Sequence, residues 1–389
     1  MHLVWIHDDA TARGGAERYV HEAAVRLRAH GVRSTLLYDV RSRVEASFAE
    51  AFEGAYPLVD VEGQMRRLAP DAVYVHRMGD EQQLARVRAA TAAPIVRFFH
   101  DHKLFCLREH KMTALEGRPC SAIASARHCY PCLGFVRRGS GTIPFELVSI
   151  RSLTRERAHS RDLDAYVVAS SYMAEHVAAH GLARARIHVL PLSVDAPPPA
   201  QIERAREPGT ILFAGALVRG KGLDVLLEAV ARSRSVRELI VAGAGAQERE
   251  LRETASRAGV EGRVRWAGRL GTEALEQAYR RAEVVVVPSR VPETFGLSGL
   301  EASARGIPVV ASDVGGIRQW LEHGANGLLV APNDVWALAG ALDRLLVDGG
   351  LRERLGREGR RRYEARHRPE HHDEALLSLL ASLRGRRAA

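Results

Sequence analysis

Short apolar runs closed by polar or small residues recur along the chain, with amphipathic stretches between most of them. HLVWIH, STLLYDV, DAVYVH, PIVRFFH and DAYVVAS read as strands, and RYVHEAAVRLRAHG after the first has a helical period. The series ends near RIHVLPLSVD, and the proline-rich APPPAQIERAREPG reads as a linker. A second series follows: TILFAGAL, ELIVAGAG, RVRWAG, EVVVVPS, PVVAS and GLLVAP, again alternating with helical stretches such as GLDVLLEAVARS. Strand–helix alternation feeds parallel sheets covered on both faces. The pattern predicts an α/β protein of two consecutive doubly wound, Rossmann-like domains, 1–195 and 208–365, facing each other across a cleft. A last helix, 366–389, is expected to pack back across that cleft. Ligands of such sheets bind beyond the carboxyl ends of the strands.

Composition changes this picture little. The chain has 389 residues, 46% hydrophobic and 26% charged, as ordinary globular domains do, and that length favours two domains. No apolar run is long enough to span a bilayer. MHLVWIHDD lacks a basic leader and meets Asp8 and Asp9 early, so the expected location is cytoplasmic. The net charge of +9 is uneven: from Leu351 onward there are eleven Arg against six Asp and Glu. That tail, or the arginine-rich VSIRSLTRERAHSR, suits either a solvated helix or peripheral contact with an anionic membrane at its inner face. No aromatic residue but Tyr363 interleaves with the tail arginines, which argues against a nucleic-acid partner.

The chemistry concentrates in ETFGLSGLE, residues 293–301. A strand delivers the chain into this loop, and a helix is expected from about Gly296 to Ala304. Glu293 then precedes the helix and Glu301 lies in it, so the two acids bracket a helix N-terminus, where free N–H groups favour an anion. A phosphate would sit over Phe295, Gly296 and Leu297, with Thr294 alongside. VRGKGLD places Lys221, with Arg219, in a glycine-lined turn after the first strand of the second half, suited to neutralising a pyrophosphate. Gly315 and Gly316 follow another strand, where a backbone can approach a ligand closely. AGAG at 242–245 is not a dinucleotide fingerprint, because Glu248 stands where the third glycine belongs.

Cys106, Cys120, Cys129 and Cys132 fall in one stretch, the last two as C-Y-P-C, with His102, His110 and His128 nearby. In a reducing compartment this grouping suggests a structural zinc carried by an insertion of about 102–140, while free thiols or a disulfide stay open. DLD at 162–164 mimics a metal-binding acid pair but leads into a strand and reads as a strand-entry turn.

Taken in order, VRGKGLD, ETFGLSGLE, EASARGIPVVAS and NGLLVAPND resemble the motifs of family 4 retaining glycosyltransferases of the GT-B fold (group 1 glycosyltransferases), and GGAERYV, FFHDH and YVVASSYM extend the likeness to the first half. The resemblance implies an enzyme moving a sugar from a nucleotide-diphosphate sugar to a hydroxyl acceptor, in cell-envelope polysaccharide, glycolipid or other glycoconjugate synthesis. It implies that Glu301 bonds the ribose hydroxyls, Glu293 the donor sugar and Lys221 the diphosphate. Gly14 and Gly15 would let the first loop approach the phosphates, and His100 would stand beside the transferred sugar. Ala216, where the family often has arginine, and Arg318–Gln319, where Pro-Glu is common, depart from the pattern.

Some members carry a similar cysteine insertion, which would overhang the acceptor side as scaffold. The implied mechanism is departure and attack on one face of the sugar, the leaving phosphate accepting the acceptor's proton, with no cofactor required for catalysis. A catalytically silent nucleotide-sugar-binding protein and a zinc-containing nucleic-acid-binding protein are the alternative readings. The latter leaves Lys221 and both glutamates unexplained.

Overall fold

The computed structural model describes residues 1–11, 14–114, 117–138, 145–197 and 206–388. Most of the expected linker, 198–205, lies outside them. The chain divides into two compact units: Met1–Glu109 with Ala122–Pro191 and Glu370–Ala389, and His110–Ser121 with Leu192–Pro369. One segment groups differently from the boundaries expected above: His110–Ser121, from the cysteine-bearing stretch, joins the second unit. The C-terminal helix, expected as a separate segment, groups with the first.

The first unit is built on strands β1 (His2–His7), β2 (Arg33–Tyr38), β3 (Gly54–Pro57), β4 (Ala72–Val75) and β5 (Ile95–Phe98), a hairpin β6 (Val136–Arg138) and β7 (Phe145–Leu147), then β8 (Ala165–Val168) and β9 (Ile187–Val189). Seven form one sheet in the order β3-β2-β1-β4-β5-β8-β9, every pair parallel. The order reverses between β1 and β4, the point at which such sheets open a crevice. The interior strands β1, β4, β5 and β8 are buried along their whole length, as a sheet covered on both faces demands.

Helix Pro369–Ala388 lays Leu376, Leu379, Leu380 and Leu383 into this unit, a helical period of buried leucines. It is fixed by polar contacts as well: Arg26 Nε donates to Asp373 Oδ2 at 2.8 Å, and Arg384 pairs with Asp71 at 2.7 Å.

The second unit comprises β10 (Thr210–Ala214), β11 (Glu238–Ala242), β12 (Val264–Gly268), β13 (Val284–Val287), β14 (Val309–Ser312) and β15 (Gly327–Val330). They pair in parallel as β12-β11-β10-β13-β14-β15. The glycines of AGAG serve packing: a Cβ on Gly243 would lie 1.9 Å from the Gly215 carbonyl oxygen, and one on Gly245 2.4 Å from that of Leu217. Much of the arginine excess is internally paired. On helix Gly349–Arg366, Arg357, Arg360, Arg361 and Arg362 each meet a glutamate three or four residues away. Asp164 of DLD bonds the backbone N–H of Ile95 at 2.8 Å, a strand-entry contact. Among the described residues no helix is long and apolar enough to cross a membrane.

A charged pair is buried beside the strand ends of the first unit. Arg97 on β5, 2% exposed, donates to Glu81 Oε2 at 2.5 Å and Oε1 at 2.6 Å, and to Ser160 Oγ at 2.7 Å. Removing one partner strands the other charge in a medium that solvates it poorly. Glu81→Ala is therefore expected to destabilise the first unit by about 3 kcal/mol or more in urea unfolding. A change below about 1 kcal/mol would show that water reaches Arg97.

Candidate active site

In the second unit, three loops at strand ends converge on Glu293. The first leaves β10 and forms the tight turn Arg219–Lys221, ended by Gly222 in the left-handed region (φ 68°). A side chain on Gly222 would stand 2.0 Å from the Pro288 carbonyl oxygen, and the Gly220 carbonyl accepts from Arg290 N at 2.8 Å. The lysine turn is thus clasped to the loop after β13. The third loop, after β14, closes from the other side: Gly316 N donates to the Glu293 carbonyl at 2.7 Å. A Cβ on Gly315 (φ 55°) would come within 2.3 Å of that same oxygen.

The outcome is an ion pair. Lys221 Nζ donates to both carboxylate oxygens of Glu293, at 2.7 and 3.0 Å, and Ser289 Oγ adds a short bond to the same group. Glu293 is buried, while about a third of the Lys221 side chain is exposed, so the pair opens to solvent on the lysine side.

Next to the pair, helix Leu297–Ala304 begins after Gly296 (φ 92°, ψ 60°). The amides of Gly296, Leu297 and Ser298 make no hydrogen bond to another described residue. The turn is held by Trp320, whose Nε1 donates to the buried Phe295 carbonyl at 2.7 Å and whose ring lies where a Gly299 side chain would be. Glu301 is buried one turn further on and accepts from Tyr279 OH at 2.7 Å. An ammonium, three unpartnered amides and two fixed carboxylates therefore share one end of the sheet, an arrangement suited to a polyanion carrying hydroxyls on either side.

The sequence singled out Lys221, Glu293, Thr294, Phe295, Gly296, Leu297 and Glu301, and the structure brings these together. Arg219 is exposed and extends towards Gly117, where an added Cβ would be 3.5 Å from its guanidinium. Gly117 belongs to the His110–Ser121 segment, and its carbonyl accepts from Asn333 Nδ2 at 3.4 Å. Ser289, Tyr279, Trp320 and Asn333 were not foreseen. Only Ser289, at the end of VVVVPS, had a positional signal.

Gly14, Gly15 and His100 lie in the first unit. Gly14 caps helix Gly15–Ala29, and the space its side chain would fill holds the Glu17 carboxylate, which pairs with Arg77 at 3.0 Å. His100 follows β5 and shares a 2.7 Å hydrogen bond between its Nε2 and His76 Nδ1. His76 is buried, stacked on Trp5, with its own Nε2 unpartnered. An orphaned lone pair in a core is tolerated better than an orphaned N–H. The His76 proton therefore belongs on Nδ1, His100 Nε2 accepts it, and His100 keeps its own proton on Nδ1 as a donor. Tyr19 OH bridges Tyr74 OH (3.1 Å) and His372 Nε2 (2.8 Å) alongside.

Cys106, Cys120, Cys129 and Cys132 form no disulfide, Cys120 groups with the second unit, and among the described residues no three His, Cys, Asp or Glu are placed to share an ion.

Two doubly wound parallel sheets, one in each unit, are the architecture of the GT-B fold. Residues 198–362 match the family model described as glycosyl transferases group 1. An uncharacterized glycosyltransferase of Methanocaldococcus jannaschii is 39% identical over 145 residues, 37% of each chain. The D-inositol 3-phosphate glycosyltransferase of Xylanimonas cellulosilytica is 37% identical over 246 residues, 58% of each chain. The matched segments thus span less than two thirds of these relatives. The Anabaena protein HepE, solved in complex with UDP and glucose, has the same fold at 18% identity, with a TM-score of 0.75 over 98% of this chain and all of its own.

Burial pushes His7, His76, His100 and His372 below the ordinary histidine range, with neighbouring His and Arg charges reinforcing the effect at His76 and His100. Below about pH 6.5 an unfolded chain takes up protons that these imidazoles refuse while folded. Stability of the first unit is therefore expected to hold near neutral pH and to fall from about pH 6.5 towards pH 5, by up to ~1.4 kcal/mol per pH unit for each group. Urea midpoints across that range test it, and a flat profile would mean that the cluster protonates without unfolding.

Proposed function

We propose that the protein is a retaining glycosyltransferase that moves a sugar from a nucleoside diphosphate sugar to a hydroxyl of a glycan, glycolipid or small acceptor. The observation that carries this reading is the Lys221–Glu293 pair beside the unpartnered amides of Gly296, Leu297 and Ser298. In the free protein Glu293 occupies Lys221. A diphosphate entering over the helix N-terminus takes the ammonium and the amides for itself. The Glu293 carboxylate, bonded by Ser289 Oγ while the Gly316 amide holds its main-chain carbonyl, then turns to the hydroxyls of the donor sugar. Glu301, positioned by Tyr279, takes the ribose hydroxyls.

In the transfer the bond from the anomeric carbon to the diphosphate oxygen breaks, and the acceptor oxygen bonds to that carbon on the same face. The acceptor's proton passes to the departing phosphate, and the nucleoside diphosphate leaves. Lys221 and the amides stabilise the charge that grows on the leaving oxygens. His100 contributes a hydrogen-bond donor rather than a base, because its Nε2 is occupied by His76. Retention of configuration rests on the likeness of the motifs to retaining family members.

The test is ligand-induced stabilisation by UDP, GDP, ADP and their sugar conjugates, with UDP first because HepE was solved with it. One nucleotide is expected to stabilise the second unit by about 2.7 kcal/mol at a hundredfold excess over its Kd. Lys221→Ala should abolish most of that stabilisation. No response to any nucleotide would refute the assignment.

A further inference from the structure

Helix Leu297–Ala304 carries Gly299 in its first turn, where alanine would be the better helix former. The reason for glycine lies outside the helix. A Cβ there would stand 2.2 Å from Trp320 Cη2 and 2.6 Å from Cζ2, so the indole occupies the place of a side chain. The same ring lies 3.7 Å from the Cβ position of Gly296. Trp320 itself is buried, in the loop between β14 and β15 of the same unit.

The main chain of Trp320 is anchored separately. Asn326, also buried, donates from Nδ2 to the Trp320 carbonyl at 2.8 Å and accepts from Glu322 N at 2.7 Å. From this mount the indole Nε1 donates to the Phe295 carbonyl at 2.7 Å. That carbonyl shares a peptide plane with the Gly296 N–H. In a trans peptide the two point in opposite directions, so a C=O held on the indole aims the Gly296 N–H away from it. A carbonyl that accepts a hydrogen bond also polarises its amide and strengthens the N–H as a donor.

We propose that Trp320 is a positioning residue for anion binding at this helix N-terminus. Its N–H sets the direction and strength of the Gly296 amide, and its ring props the helix start so that the Leu297 and Ser298 amides face the same anion. This rests on the diphosphate reading of the site and adds the side chain that tunes its affinity. The role needs both properties of an indole: a ring to fill the space beside Gly299, and a donor at its edge. Phenylalanine supplies only the first.

The test is calorimetric titration of inorganic pyrophosphate, UDP, GDP and ADP into the full chain as wild type, Trp320→Phe and Gly299→Ala. Trp320→Phe is expected to weaken pyrophosphate and the preferred nucleotide by the same factor, about tenfold, because each loses one well-aligned amide donor. A merely loosened fold would disturb the nucleoside too and weaken the nucleotide more than pyrophosphate. Gly299→Ala keeps the indole but displaces it, and should also weaken pyrophosphate although alanine favours the helix. It carries the test alone if Trp320→Phe lowers the urea midpoint. Pyrophosphate affinity within about twofold of wild type in a folded variant overturns the proposal, as does a loss confined to the nucleotide. Trp320-dependent binding of pyrophosphate without binding of any nucleotide contradicts the nucleotide-sugar reading alone. Nucleotide binding without Trp320 dependence contradicts this proposal alone, and a wild type that binds none of the four contradicts both.

Discussion

The second unit depends on one constraint: Glu293 must be gripped by backbone from two directions. Gly220 and Gly222 bring the lysine turn against the loop after β13, and Gly315 and Gly316 bring the loop after β14 against Glu293 itself. At Gly222 and Gly315 a side chain would collide with a carbonyl oxygen, and both have positive φ, so only glycine fits without strain. The clasp fixes the carboxylate by its main chain, which leaves the side chain free to change partner. A functional group on a rigid mount can exchange a lysine for a sugar hydroxyl without rebuilding the loop.

Electrostatics then explain why the Lys221–Glu293 pair is stable. A buried carboxylate without a cation, and a lysine facing amide N–H groups without an anion, would each be costly. Pairing them satisfies both. The same economy appears in the first unit, where Arg97 and Glu81 neutralise each other and the histidines remain uncharged through burial. Charge is thus held in pairs in both units, Lys221 with Glu293 in the second and Arg97 with Glu81 in the first.

Much of this was legible in the sequence. Runs such as VVVV, apolar on both faces, are what a covered parallel strand requires. The glycines and acids of ETFGLSGLE fall where a helix start needs them. β3 was missed because GAYP is an edge strand ending in proline, with neither apolar alternation nor burial to mark it. Tyr279 and His76 were invisible because a lone aromatic or histidine in an apolar stretch reads as core, and their partners lie 22 and 24 residues away. Cysteine spacing suggested a metal, but spacing carries no direction for the side chains.

The most direct measurement of the central claim compares UDP and its sugar conjugate on wild type and Glu293→Gln. If Glu293 is the resting partner of Lys221, removing its charge frees the lysine. UDP should then bind about fivefold tighter, the equivalent of ~1 kcal/mol for a partly exposed ion pair, while the preference for the sugar conjugate is lost. Weaker binding of both ligands by the same factor would contradict the account and place Glu293 in direct support of the nucleotide.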